Sequence, residues 1–334
     1  MENMKILITG RIISQEKGLY HLLCDGGEYL AEVSGKLRHN AVKSSDFPAV
    51  GDYVRAECYK SGQSHAVINE ILPRKSVFIR KAAVTGRDDQ VVAANIDTVF
   101  ICMSLNNDFN IRRLERYLSI AWDSGALPVV VLTKADLCPD PEEYVRAVES
   151  VAFGTDIVTV SSVEEDGYLK LLPYIKADKT VALIGSSGVG KSTLINRLLN
   201  EERLDTNGLR GDDKGRHTTT RRELVLLENG GMVIDTPGMR ELGLWDAEAG
   251  LEKTFADIEE LAAMCRFADC SHTSEPGCAV RAAIERGALS EERWLSYEKL
   301  RAENRYAENT DDYLAEKKRK FREISKINKA SRRC

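Results

Sequence analysis

Nine residues near the middle of the chain, Gly185-Ser186-Ser187-Gly188-Val189-Gly190-Lys191-Ser192-Thr193, constrain its fold more than any other stretch. An apolar run, Val181-Ala182-Leu183-Ile184, precedes them, and a helical pattern through Leu194, Ile195, Leu198 and Leu199 follows. Strand, glycine-rich turn and helix form the context in which backbone N–H groups converge on anionic oxygens. Gly185 and Gly190 let the backbone curl without a Cβ penalty, and the helix start adds its dipole and unpaired N–H groups. At this spacing Lys191 reaches the β- and γ-phosphates of a nucleotide, and the Ser192 hydroxyl takes a Mg²⁺ ion. The plainer alternative, a Gly/Ser-rich turn with no ligand, leaves the lysine and the full spacing unexplained.

Other strand ends extend the site. Asp235-Thr236-Pro237-Gly238 follows the apolar pair Val233-Ile234, about 40 residues beyond Thr193. An Asp so placed holds Mg²⁺, usually through water, and the Gly N–H meets the γ-phosphate. Upstream of the loop, Thr133-Lys134-Ala135-Asp136 closes the apolar run 129–132, and Ser161-Ser162 follows Val160. A carboxylate at Asp136 accepts from guanine N1–H and the exocyclic amine together, a pair that adenine does not offer. A site built on that pairing rejects the wrong base by about 10⁴–10⁵. Lys134 would lie along base and ribose, and a backbone N–H at Ser161-Ser162 would meet guanine O6. The four stretches together select GTP and GDP over adenine nucleotides. In most GTPases the phosphate loop comes first, whereas here both guanine elements precede it. A circularly permuted domain would reunite them, because close termini permit such rewiring.

Residues 201–222 are polar and weakly periodic, as functional or mobile segments are. They contain Gly215-Arg216-His217-Thr218-Thr219-Thr220, where a threonine, here assigned to Thr219, can complete the Mg²⁺ shell and sense the γ-phosphate. Ser192, Thr219 and Asp235 are thus the candidate magnesium ligands. Met239 stands where many GTPases place a water-orienting Gln, and a thioether cannot orient water. The catalytic group must come from elsewhere; His217 is the candidate, a solvated loop histidine the alternative.

Cys265-x4-Cys270-x-His272-x5-Cys278 supplies three thiolates and one imidazole, the donor set of a closed, structural Cys₃His zinc site. Free cysteines beside a histidine are the alternative, but the intervening Ser271, Thr273, Ser274, Glu275, Pro276 and Gly277 are mostly loop formers. Cys24, Cys58, Cys102 and Cys138 sit in or beside apolar runs and read as core fillers. Eight cysteines without a recognisable leader argue for reduced thiols and a cytoplasmic protein. No apolar run is long enough to span a membrane. The net charge of −5 is uneven: residues 317–334 hold nine Lys or Arg against one acid, leaving −13 on the rest. A basic tail on an acidic body suits an anionic partner, or is simply a solvated tail.

Residues 1–75 contain five short apolar runs (6–13, 20–24, 29–33, 53–58 and 65–71) punctuated by glycines, which suits an oligonucleotide-binding (OB-fold) β-barrel. Lys36, Arg38 and His39 on one connection could meet phosphates; a barrel that merely packs on its neighbour is the alternative. Residues 76–244 alternate strand and helix, an α/β domain on a mostly parallel sheet. Its expected strands are 96–105, 129–132, 157–160, 181–184, 223–227 and 232–234; its expected helices include 111–124, 141–153 and 168–175. Residues 245–334 read as mostly helical around the cysteine cluster.

Taken together these features resemble the ribosome small-subunit-dependent GTPase A family of circularly permuted GTPases. The resemblance runs through Gly35-Lys36-Leu37-Arg38, Val50-Gly51-Asp52, Leu72-Pro73-Arg74, Asp89-Gln90, Thr133–Asp136, Gly185–Thr193, Gly215–Thr220, Asp235–Gly238 and Glu275-Pro276-Gly277-Cys278. It implies an N-terminal OB-fold barrel, a central permuted phosphate-loop GTPase domain and a C-terminal zinc domain. It also implies low intrinsic GTP hydrolysis stimulated by the small ribosomal subunit, a role in late maturation of that subunit, contact with its rRNA, and His217 as catalytic group. A monomer is expected. One departure is Thr133, where many members and most GTPases carry Asn; guanine binding is expected to survive it. Two rivals stay open: a permuted GTPase acting on another RNA, and an RNA-binding assembly factor that uses GTP as a structural ligand.

Overall fold

A computed structural model describes residues 5–16, 18–59, 65–81, 89–164, 166–201, 223–235 and 248–308. Strands β1 (Lys5–Glu16), β2 (Leu19–Cys24) and β3 (Gly27–Val33) form an antiparallel meander. Helix α1 (Gly35–Asn40), capped by the Ser34 hydroxyl, leads on to β4 (Tyr53–Tyr59) and β5 (His65–Ile71). β1 pairs antiparallel with β2 and β4, β4 with β5, and β3 runs parallel to β5, so the five strands close on themselves. Closure leaves no free sheet edge, the state in which a small all-β unit is safest. Alternate residues point inward, and Ile12, Leu22, Ala31, Val54, Ala56 and Ile68 are fully buried there. This is the OB-like barrel expected from the glycine-punctuated runs.

A hairpin of β6 (Val77–Lys81) and β7 (Asp89–Ala94) links the barrel to the α/β layer. There β8 (Thr98–Ser104), α2 (Ile111–Asp123), β9 (Leu127–Thr133), α3 (Pro141–Glu149) and β10 (Asp156–Thr159) follow as right-sized βαβ units. A short helix forms where one was expected, and it is of the 3₁₀ kind, Leu169–Tyr174, with Pro173 inside it, whose nitrogen cannot donate to the preceding turn. Next come β11 (Thr180–Ile184), α4 (Lys191–Leu199), β12 (Glu223–Leu226) and β13 (Met232–Asp235). The spatial order is β10-β9-β8-β11-β13-β12, parallel except for β12. β8 and β11 are buried along their whole length, as strands covered on both faces must be. From β8 the chain winds towards β10, and from β11 towards β13. The winding therefore reverses between β8 and β11, and ligands of such sheets bind beyond the carboxyl ends of strands at that point.

Barrel and sheet join through β1, whose Ser14 pairs with Glu223 of β12. Arg11 is buried at the joint and donates to the Gly51 and Asn95 carbonyls (3.2 and 3.0 Å) and to Met232 Sδ (3.0 Å). Gly51 lies at φ 91°, and a Cβ there would stand 2.1 Å from the Ala94 carbonyl oxygen.

The chain divides into two compact units, Met1–Gly243 and Leu244–Cys334. In the second, α5 (Glu248–Thr254), α6 (Ala256–Ala263), α7 (Ala279–Glu285) and α8 (Glu291–Glu308) enclose Leu251, Phe255, Ile258, Val280, Ala283 and Leu300. Arg293 is bidentate to Asp257 (2.7 and 2.8 Å), with its guanidinium 4.8 Å from the centre of the Phe255 ring. Among the described residues no helix is long and apolar enough to cross a membrane.

Candidate nucleotide site and metal centre

β11 ends against β8 so closely that a Cβ on Gly185 would sit 2.4 Å from the Cys102 carbonyl oxygen. Gly185 (φ 146°) and Gly190 (φ 101°) turn the chain into a loop whose last residue caps α4. Inside that loop Lys191 Nζ donates to the carbonyls of Gly185 (2.7 Å) and Ser186 (2.5 Å), which hold the ammonium over the loop. Ser186, Ser187, Gly188, Ser192 and Thr193 remain partly or fully exposed along the mouth, while Val189 is buried as the hydrophobic foot of the turn.

Thr133 ends β9 beside this loop. Its buried hydroxyl lies 2.6 Å from the Val189 carbonyl and 3.3 Å from that of Met103, tying the end of β9 to the phosphate-type loop. Lys134 takes the left-handed conformation (φ 59°), which turns the chain sharply so that Ala135 N–H reaches the Val160 carbonyl (3.2 Å). Asp136 is exposed, and its carboxylate accepts from the buried Ser161 hydroxyl at 2.8 Å. That hydroxyl in turn accepts from the N–H groups of Val163 and Glu164, while the Ser162 carbonyl accepts from Arg197 of α4 (3.0 Å). The two expected guanine elements thus meet each other and the loop, at the carboxyl ends of β9, β10 and β11. Asp235 closes β13, the neighbour of β11. His217, Thr219, Gly238 and Met239 lie outside the described residues, as does the basic tail.

In the second unit Cys265, Cys270, His272 and Cys278 bring their ligand atoms within 4.8 Å of one another. His272 Nδ1 stands 3.5 Å from both Cys265 Sγ and Cys278 Sγ, which are 4.0 Å apart. With Zn–S near 2.3 Å and Zn–N near 2.0–2.1 Å, a tetrahedral ion spaces S and N by about 3.5 Å and S and S by about 3.8 Å. The four residues fit such an ion, and the cluster could hold a metal. Backbone N–H groups of Ala279 (3.3 Å) and Arg281 (3.4 Å) point at two of the sulfurs, as they would to support thiolates. Burial, with Arg301 adding, holds the His272 imidazole below its ordinary range, favouring the neutral ring that ligates.

Two contributors escape the sequence. Glu275 folds back on its own turn: it accepts from the Ser271 hydroxyl and from the N–H groups of Ser271 (2.9 Å), Thr273 (3.1 Å) and Ser274 (3.0 Å). The Ser271 hydroxyl, then the N–H groups of Ser271, Glu275 itself and Ser274, hold its carboxyl down to about 2. Asp108, in the loop after β8, accepts from the Ser186 hydroxyl at 2.6 Å and pairs with Arg113 at 2.9 Å. No spacing rule links Asp108 to a loop about 80 residues away; only the adjacency of β8 and β11 does.

A profile of the RsgA GTPase family matches residues 71–245. The small ribosomal subunit biogenesis GTPase RsgA 2 of Lactiplantibacillus plantarum is 54% identical over 306 residues, covering 91% of this chain and 85% of its own. The crystal structure of YjeQ from Thermotoga maritima superposes with a TM-score of 0.64 at 28% identity, over 88% of this chain and 97% of that one. YloQ, described as a circularly permuted GTPase, gives a TM-score of 0.63 at 26% identity, over 89% and 95%. The order of motifs, the reversed winding at β8 and β11 and these matches agree: the chain belongs to the RsgA GTPase family and is a circularly permuted GTP hydrolase.

Proposed function

We propose that this protein is a cytoplasmic, monomeric GTPase that binds the small ribosomal subunit through its rRNA and assists late maturation of that subunit, hydrolysing GTP to GDP and phosphate under its stimulation. The observation that carries the proposal is the meeting of Asp136, Ser161, Thr133 and the Gly185–Thr193 loop at one end of the sheet. The names of the relatives supply the ribosomal partner.

In this account residues 1–75 serve as the RNA-contacting barrel, 76–244 as the GTPase domain and 245–334 as the zinc domain. Asp136 reads guanine and is aimed by Ser161; Lys134, Ala135 and Ser162 line the base. The N–H groups of Ser186, Ser187, Gly188, Val189 and Gly190 cradle phosphates, and Lys191 lies along them. Ser192, Thr219 and Asp235 would hold Mg²⁺, which when bound neutralises charge on the phosphates. Gly238 would donate to the γ-phosphate, and His217 would position the attacking water, since Met239 cannot. Zinc in the Cys265–Cys278 cluster would be structural, having no open position.

Co-sedimentation with purified ribosomal subunits in a non-hydrolysable GTP analogue tests the proposal. Binding to small but not large subunits is expected; preference for the large subunit, or for neither, would overturn it.

A further inference from the structure

Ser186 is the pivot of the phosphate-type loop. Its carbonyl holds the Lys191 ammonium at 2.5 Å, and its hydroxyl donates to Asp108 at 2.6 Å. Asp108 is fixed in turn by Arg113, which follows two residues into α2 and bonds both the Asp108 carboxylate (2.9 Å) and its carbonyl (3.4 Å). Asn110 caps that helix by accepting from Arg113 N–H at 3.0 Å, so the arginine stands on a rigid element. The Ser186 hydroxyl and the Arg113 guanidinium keep the Asp108 carboxyl below the ordinary range, and it is charged at neutral pH.

An anion beside a loop built for phosphates is unfavourable by simple Coulomb reasoning, unless its charge is matched and its position has a use. Arg113 matches the charge. We propose that Asp108 is a positioning residue for nucleotide binding: through Ser186 it sets the loop backbone that aims Lys191. This rests on the Gly185–Thr193 loop being the phosphate site.

The expected signature is in affinity, not in the chemical step. A hydrogen bond to a charged partner is worth roughly tenfold in an equilibrium constant. Asp108→Ala should therefore weaken GDP and GTP binding by about tenfold and leave kcat at saturating GTP within about twofold. Ser186→Ala should weaken nucleotide binding by a similar factor, and the double variant should bind no worse than either single one, because both remove the same bond. Asp108→Asn keeps an acceptor for the Ser186 hydroxyl and should recover most of the affinity. Equilibrium titration with a fluorescent GDP, together with steady-state hydrolysis, reads all four variants. Wild-type-like affinity in Asp108→Ala, additive losses in the double variant, or failure of Asp108→Asn to recover binding would each overturn the role of Asp108. If the wild-type chain itself bound no guanine nucleotide, the assignment of the loop would fail instead, which is a separate outcome.

Discussion

In the proposed nucleotide site Asp136 and Thr133 stand at the base end, and each has a distinct consequence at the scale of single residues. Asp136 offers only acceptors, which guanine meets with two donors; xanthine has a carbonyl where guanine has its amine. Asp136→Asn should therefore move preference from GDP towards xanthosine diphosphate in competition binding, and an undiminished preference for GDP would remove Asp136 from the base site. Thr133 acts on the loop. Its hydroxyl bonds the Val189 carbonyl at 2.6 Å in a fully buried setting. Thr133→Val keeps the shape but leaves that carbonyl without this partner, so it should cost about 1–3 kcal/mol of stability in denaturant titration and weaken nucleotide binding. Here the sequence was readable in type but not in detail. A threonine at the expected asparagine position could be recognised as a departure, but its tie to Val189 depends on β9 and β11 lying one strand apart.

Whole elements were legible where a single period dominated. The five barrel strands and the buried strands β8, β9 and β11 are apolar runs bounded by turn formers, and they form close to where pattern alone places them. Helix α1 was hidden because none of its residues is buried, so no apolar stripe marks it. The β6–β7 hairpin was hidden for a different reason: residues 82–88 offer no two-residue turn of the Asn-Gly kind. The cysteine turn was legible from ligand spacing, whereas the inward fold of Glu275 was not, because a lone Glu in a polar loop usually faces solvent. Cys270→Ser would remove one of the four proposed zinc ligands, and a structural zinc site would supply the folding energy that so short a segment lacks. Zinc content should fall and residues 265–278 should become protease-sensitive, while GDP affinity stays near wild type, since every residue proposed for the nucleotide site falls in Met1–Gly243. Retained zinc with full protection would show that the cluster does not need Cys270.

On the scale of the molecule, the permuted order joins the barrel to the strand that carries Asp235. β1 pairs with β12, and Arg11 reaches Met232 on β13, so the barrel is continuous with the hairpin leading to Asp235. Arg11 donates to two carbonyls and a thioether, and burial lowers its pKa. Arg11→Ala takes from the Asn95 carbonyl its Arg11 partner, while the Gly51 carbonyl keeps the Asn95 amide (3.0 Å), and should cost roughly 1–3 kcal/mol in denaturant unfolding; a loss below about 0.5 kcal/mol would show that the joint does not depend on it. This long-range bond was invisible beforehand, since Arg11 looks like an ordinary polar interruption of an apolar strand.

The central claim is that one guanine-nucleotide site, rebuilt from permuted strands, hydrolyses GTP in response to the small ribosomal subunit. Single-turnover hydrolysis of GTP by the full chain, alone and with purified small or large subunits, tests it most directly. Slow turnover alone, marked acceleration by small subunits only, and loss of that acceleration in His217→Ala with GTP affinity retained are the expected results. Equal rates with and without small subunits would contradict the account.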